Sequence, residues 1–232
     1  MKRTLITGAN RGVGLELARQ SLERGDRVFA GCRNPGQAVD LHTLGAAHPG
    51  QLTVLTLDVT DEASLDASKE VVRAQVEALD VLFNNAAILL GDETIANLDA
   101  ETVMQTLRVN SLGPMLVAQR YLDLLKAGNA PRIVNISSEA GSISRMMHFR
   151  GYAYYGSKAA LNMFTRALAF DTNAQGVIVI ALHPGWVRTD MGGSTATLSP
   201  SESVQGILKV AHSLTRADVG KFYTYAGDEY PW

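Results

Sequence analysis

Six short apolar runs recur along the chain with helix-length stretches between them: RTLITG (3–8), RVFAG (27–31), LTVLTLD (52–58), DVLFNNA (80–86), RIVNISS (132–138) and VIVIALHPG (177–185). Several are apolar at successive positions rather than at alternate ones, so both of their faces need cover. Strands of that kind, each followed by a helix, build a parallel sheet through right-handed crossovers with helices on either side. The pattern predicts an α/β fold with one doubly wound, Rossmann-type parallel sheet. KFYTYAG (221–227) reads as a further strand, for a total of about seven. No repeat, low-complexity tract or break in composition marks a second unit, so residues 1–232 read as a single domain. MGGSTATLSPSE (191–202) reads as a mobile loop, ending where Ser199 caps a helix that has Pro200 at its first position and Glu202 behind it.

Directly after the first run comes TGANRGVG (7–14), with Gly8, Gly12 and Gly14 ahead of the helix-compatible LELARQSLER. A strand that ends in a tight glycine turn and opens a helix presents bare backbone N–H groups and the positive helix end, to which a pyrophosphate can approach closely. Tight turns use glycine without any ligand, so the strand–turn–helix context carries the argument more than the glycines do. In such folds the end of the second strand reads the adenosine ribose: a carboxylate there suits NAD, an arginine suits NADP. Here that strand ends FAGCRNP, with no carboxylate; Arg33 follows Cys32, and Arg11 lies within the glycine turn. Two guanidinium groups able to fork onto a phosphate favour NADP(H) over NAD(H).

In GYAYYGSKAALN (151–162), Tyr154 and Lys158 stand at i and i+4, and Tyr155 and Lys158 at i and i+3. Either phenol would share a helix face with the ammonium, and spacing alone leaves both open. The helix predicted over 152–173 carries only Lys158, Arg166 and Asp171 as charged residues. A helix so apolar needs cover on two sides, from the sheet and from a neighbouring subunit, which predicts a homo-oligomer.

Composition excludes other classes. A net charge of −2, from 21 basic and 23 acidic residues, offers no attraction for nucleic acid or anionic lipid, so a small-molecule partner is expected. No apolar run nears the roughly 20 residues that span a bilayer. The lone Cys32 and an opening without a signal-peptide pattern fit a reducing cytoplasm. Cys32 reads as a small buried filler. The histidines at 42, 48, 148, 183 and 212 lack ligand spacing, so no metal site is expected, and His183 ahead of Pro184 reads as structural.

Taken together and in order, TGANRGVG, NNAA (84–87) and YYGSK (154–158) resemble the short-chain dehydrogenase/reductase family. The resemblance runs essentially the full length, through Asp58, RVNSLGP, IVNISS and HPGWVRTDMGG, and is greatest to the carbonyl reductases of the sniffer and C-factor group. It implies a dinucleotide-binding domain, reduction of a carbonyl substrate, and assembly as a homodimer or homotetramer. It assigns Tyr154 as acid/base through the pattern Y-x-x-x-K, Lys158 as its partner, Ser138 as the hydroxyl that polarises the substrate oxygen, and Asn110 as the residue that holds a relay water. It further implies cofactor contacts from Gly8, Asn10, Arg11, Gly12, Val13, Gly14, Arg33, Asp58, Val59, Asn85 and Ala86. Tyr154, Lys158, Pro184, Gly185, Val187 and Thr189 complete that set. Ser138 and Tyr154 stand 16 positions apart, more than is usual in the family, and GSISRMMHFRG fills the gap, which leaves Ser137 open beside Ser138. The C-factor likeness also implies an alternative, a cofactor-binding signalling protein with incidental turnover.

Overall fold

The computed structural model describes residues 1–232 except 92, 148, 150, 172 and 173. The last two positions of the predicted helix over 152–173 and two positions of the GSISRMMHFRG insert, one of them His148, therefore lie outside the described residues. Seven parallel strands form one sheet in the order β3-β2-β1-β4-β5-β6-β7: β1 (Arg3–Thr7), β2 (Arg27–Cys32), β3 (Leu52–Thr56), β4 (Val81–Asn84), β5 (Arg132–Ile136), β6 (Ile178–His183) and β7 (Phe222–Thr224). Each predicted run holds a strand, generally shorter than the run because its ends turn into the loops of the site.

Seven helices lie among the described residues: α1 (Gly12–Glu23), α2 (Val39–Ala47), α3 (Glu62–Arg73), α4 (Ala100–Leu107), α5 (Gly113–Lys126), α6 (Tyr152–Phe170) and α7 (Pro200–Ser213). They cover both faces of the sheet. One core joins Leu17, Leu22, Leu41, Ile207 and Leu208 to Ile6, Val28 and Ile180. The other joins Leu65, Val72, Val117 and Tyr121 to Leu5, Phe29, Leu82 and Val179. Alternate residues of each strand thus serve opposite cores, which is why the runs are apolar throughout.

Local signals start the helices where the sequence places them. Ser199 Oγ accepts from the Glu202 N–H at 3.2 Å while Glu202 Oε2 accepts from the Ser199 N–H at 2.9 Å, a reciprocal cap on α7. Asp61 and Asp99 cap α3 and α4 in the same manner with single bonds. Between α4 and α5 the chain makes a wider π-turn over Arg108–Leu112, which carries Asn110.

Because β4 pairs with β1 on the side away from β2, the strand order reverses between β1 and β4, and a crevice opens at the carboxyl ends of those strands. Every sequence-predicted site residue lies at or under that crevice.

Candidate active site

The two walls of the crevice are joined by a small polar lattice. Thr7 Oγ1 accepts from the N–H groups of Asn85 and Ala86, both at 3.0 Å, and Asn85 Nδ2 donates to the carbonyls of Thr7 and Gly8, also at 3.0 Å. The glycine turn is thereby pulled against the end of β4. Gly8 has φ +64°, and a Cβ there would lie 2.8 Å from Ala86 Cα; at Gly14 it would lie 2.2 Å from the Gly8 carbonyl oxygen. No larger residue fits either place, so the turn is left with bare N–H groups at the start of α1. Gly14 does not itself line the cleft. It packs beneath the turn against Asn85, the glycine role of close packing.

The cleft above this turn encloses about 2040 Å³. It is lined by Asn10, Arg11, Gly12, Val13, Arg33, Asp58 and Val59, by Asn85, Ala86, Pro184, Gly185, Val187 and Thr189, the last against Gly12, and by Ser138, Tyr154 and Lys158, which lie together. Arg33 is exposed at the rim. Arg11 also lines the cleft and pairs with Asp190, a partner the sequence did not suggest.

Helix α6, which carries Tyr154 and Lys158, is locked to the sheet through buried amides. Asn84 Nδ2 donates to Asn135 Oδ1 and Asn135 Nδ2 to Thr165 Oγ1, each at 2.8 Å, which joins β4, β5 and α6. Ser137 is buried and donates to Asn162 Oδ1 on α6 at 2.6 Å. Its hydroxyl is consumed by packing. Ser138 instead starts a short 3-10 turn, Glu139–Gly141, with its Oγ accepting from the Ala140 N–H at 3.2 Å and its own O–H left to donate.

Lys158 is 2% exposed, donates to the Ile136 carbonyl at 2.9 Å, and stands 5.7 Å from the centroid of the Tyr154 ring. Burial pushes its ammonium down to about 8. Burial also raises the phenol of Tyr154; a hydrogen bond from Ser138 opposes that rise, while Tyr155 and Glu139 add to it. The protein's own groups thus leave the phenol above its ordinary value, because desolvation weighs on both partners. Tyr155 lines the same cleft one position on.

Asn110 is fully buried and does not line the cleft. Its Oδ1 accepts from the Ile88 N–H at 2.8 Å, and its Nδ2 donates to the Ile88 carbonyl at 2.8 Å and to Ser157 Oγ at 3.0 Å. It ties the π-turn to the segment after β4 and to α6. Cys32 and His183, read from the sequence as a buried filler and a structural residue, also line the cleft, as does Glu139, which the sequence did not single out. Cys32 is buried, and burial raises its thiol.

A phenol beside a buried ammonium, in the crevice of a doubly wound sheet, belongs to the chemistry of the oxidoreductases of that fold. The family follows: residues 2–198 match the model described as short chain dehydrogenase, and the chain belongs to that family of oxidoreductases. It is similar to the C-signal of Myxococcus xanthus, 39% identical over 154 residues that cover 66% of this chain and 93% of the relative. The structure is similar to that of an NADPH-bound carbonyl reductase from chicken fatty liver, 37% identical with a TM-score of 0.93 over 100% of this chain and 99% of that one. It is equally similar to the carbonyl reductase Sniffer of D. melanogaster, 33% identical with a TM-score of 0.94 over 100% of both chains. Among the described residues no helix is long and apolar enough to cross a membrane.

Proposed function

We propose that this protein is an NADPH-dependent carbonyl reductase formed by one dinucleotide-binding domain over residues 1–232, with Tyr154 as acid/base assisted by Lys158, Ser138 and Asn110. The observation that carries the reading is the grouping of Ser138, Tyr154 and Lys158 in the same cleft that the glycine turn lines. The residues present fit a nicotinamide dinucleotide: the turn cannot hold a side chain at Gly8 or Gly14, and the cleft runs on unbroken to the phenol. When bound, that cofactor supplies the hydride and, once oxidised, a positive charge beside the phenol.

Ser138 donates its O–H to the substrate oxygen and fixes the carbonyl within reach of Tyr154. The phenol gives its proton to the alkoxide as it forms, and takes one back in the reverse direction. Lys158, anchored on the Ile136 carbonyl, holds its charge near the ring and stabilises the phenolate. Lowering a phenol from about 10 by about 3 units takes roughly 4 kcal/mol, which two nearby cations can supply. Asn110 acts at a distance, fixing the π-turn and α6 through Ile88 and Ser157.

Preference for NADPH is supported by Arg33 and Arg11, which line the cleft beside the glycine turn and the end of β2, and by the absence of a carboxylate at the end of β2. The chicken reductase, similar over its whole length, was solved with NADPH bound. Trp186, which lines the cleft, and the exposed Met146, Met147 and Phe149 of the segment between Ser138 and Tyr154 favour apolar carbonyl substrates over sugar phosphates. A homo-oligomer is supported by Met163 and Phe170 on α6, 65% and 64% exposed in the single chain. The lone cysteine suits a reducing cytoplasm.

The test is NADPH consumption across aldehydes, ketones, diketones, quinones and sugar phosphates. Apolar carbonyls should react best; reaction with sugar phosphates alone would overturn the substrate reading. The likeness to the C-signal supports the alternative of a signalling protein with incidental turnover. Tight NADPH binding without net consumption on any carbonyl would favour that alternative.

A further inference from the structure

The ladder between β5 and β6 ends with the Ser137 N–H donating to the Leu182 carbonyl at 2.7 Å. One step further the strands diverge, and the Glu139 N–H goes to a side chain: His183 Nδ1, at 3.1 Å. An amide N–H can only donate, so Nδ1 must carry its lone pair, and the neutral ring holds its proton on Nε2. The next two N–H groups of the turn go to Ser138 itself, that of Ala140 to Oγ and that of Gly141 to the carbonyl oxygen at 2.9 Å. His183 thus supplies the acceptor that Ser138 does not, and the turn carrying Ser138 rests on the imidazole.

We propose that His183 is a positioning residue for carbonyl reduction: its neutral imidazole holds the Ser138 turn, and protonation of Nδ1 releases that turn and with it the placement of the substrate oxygen. The inference rests on the reading of Ser138 as the hydroxyl that orients the carbonyl. The ring itself is held from the other side, where the His183 carbonyl accepts from the Tyr225 N–H at 2.8 Å and the Tyr230 ring lies 6.0 Å away. Titratable groups around it are Glu139 from the turn, Tyr154 lining the same cleft, and Tyr225 and Tyr230 from the segment after β7. Burial lowers the imidazole below its ordinary value, and the Glu139 carboxylate works against that lowering. The neutral, accepting ring is therefore the form present around neutrality, and the turn is released on the acid side.

Asparagine places an amide oxygen near the position of Nδ1 and does not titrate, so His183→Asn separates the hydrogen bond from the proton. Long-range ¹H–¹⁵N correlation spectra of the unaltered protein report the state of Nδ1 without any turnover. The companion measurements are kcat against pH for the unaltered protein, His183→Asn and His183→Ala, with NADPH binding followed by fluorescence. Expected are a lone-pair Nδ1 at neutral pH and an acid limb of kcat that tracks the His183 titration. His183→Asn should hold kcat within about threefold at neutral pH and lose that limb, while His183→Ala loses about tenfold or more in kcat with NADPH affinity little changed. A protonated Nδ1 at neutral pH, an acid limb that persists in His183→Asn, or full kcat in His183→Ala would each overturn the proposal. If the unaltered protein turns over no carbonyl, the reductase reading falls and takes this proposal with it; normal turnover with any of the three contrary results removes this proposal alone.

Discussion

Arg11 Nη1 lies 2.8 Å from Asp190 Oδ2, an ion pair that joins the glycine turn to the segment after β6 at the cleft. Both side chains are mostly exposed, at 67% and 77%, so the pair contributes about 0 to 1 kcal/mol. In the proposed NADPH complex it would compete with a cofactor phosphate for the same guanidinium. Asp190→Asn is expected to leave Tm nearly unchanged and to tighten NADPH binding by up to about fivefold while NADH binding stays constant. Isothermal titration of both cofactors checks this; weaker NADPH binding would show that Asp190 orients Arg11 rather than occupying it.

Tyr154→Phe removes the phenol and keeps the ring, so turnover is expected to fall by about 10²- to 10⁴-fold with cofactor binding retained. Tyr155→Phe should stay within a few-fold. Lys158→Ala removes the ammonium held 5.7 Å from the Tyr154 ring and should raise the apparent pKa for alcohol oxidation, because the phenolate loses a cation. Rate against pH for the three variants decides the assignment: a dead Tyr155→Phe beside an active Tyr154→Phe would transfer the role to the phenol at i, i+3.

Arg33→Asp places a carboxylate where a 2′-phosphate would sit. The expected loss in NADPH binding is about 1.5 to 3 kcal/mol, the scale of a hydrogen bond to a charged group, and the loss in NADH binding is small. Fluorescence titration with each cofactor measures the difference. Equal losses for both would remove Arg33 from the phosphate.

Asp80, at the foot of β4, is buried and accepts from the Arg3 N–H and Nη2 at 2.8 Å, from Arg3 Nε at 3.0 Å and from the Asn129 N–H at 2.7 Å. Burial alone would raise its carboxyl, but Arg3 and the amide N–H groups outweigh it and hold it below the ordinary carboxylate range. A depressed folded pKa means stability that is present above the unfolded value, near 3.9, and lost as pH falls through the folded one. Asp80→Asn should therefore cost about 1.5 to 3 kcal/mol at neutral pH, with the gap to the unaltered protein closing below about pH 4. Urea melts at a series of pH values test it; a gap independent of pH would show that packing, not charge, is lost.

The alternation of two-sided apolar runs with helix-length segments was enough to predict the doubly wound sheet, because burial on both faces leaves a strand few other arrangements. The caps at Asp61, Asp99 and Ser199 and the glycine turn are likewise local: each depends on residues within a few positions, and TGANRGVG carries its own steric argument. Spacing around Lys158 narrowed the phenol to two candidates for the same reason. What the chain could not reveal by itself are pairings between residues far apart in sequence. Arg11 meets Asp190 only because β1 and β6 end on the same side of the sheet. Ser137 lines the cleft beside Ser138, but its hydroxyl is already given to Asn162, 25 positions on in α6. His183 reads in the sequence as a structural residue before a proline; only the divergence of β5 from β6 turns it into the acceptor for Glu139. The direction of the Tyr154 and Lys158 titrations was also decided by tertiary packing, since desolvation comes from the whole enclosure of a group rather than from its neighbours along the helix.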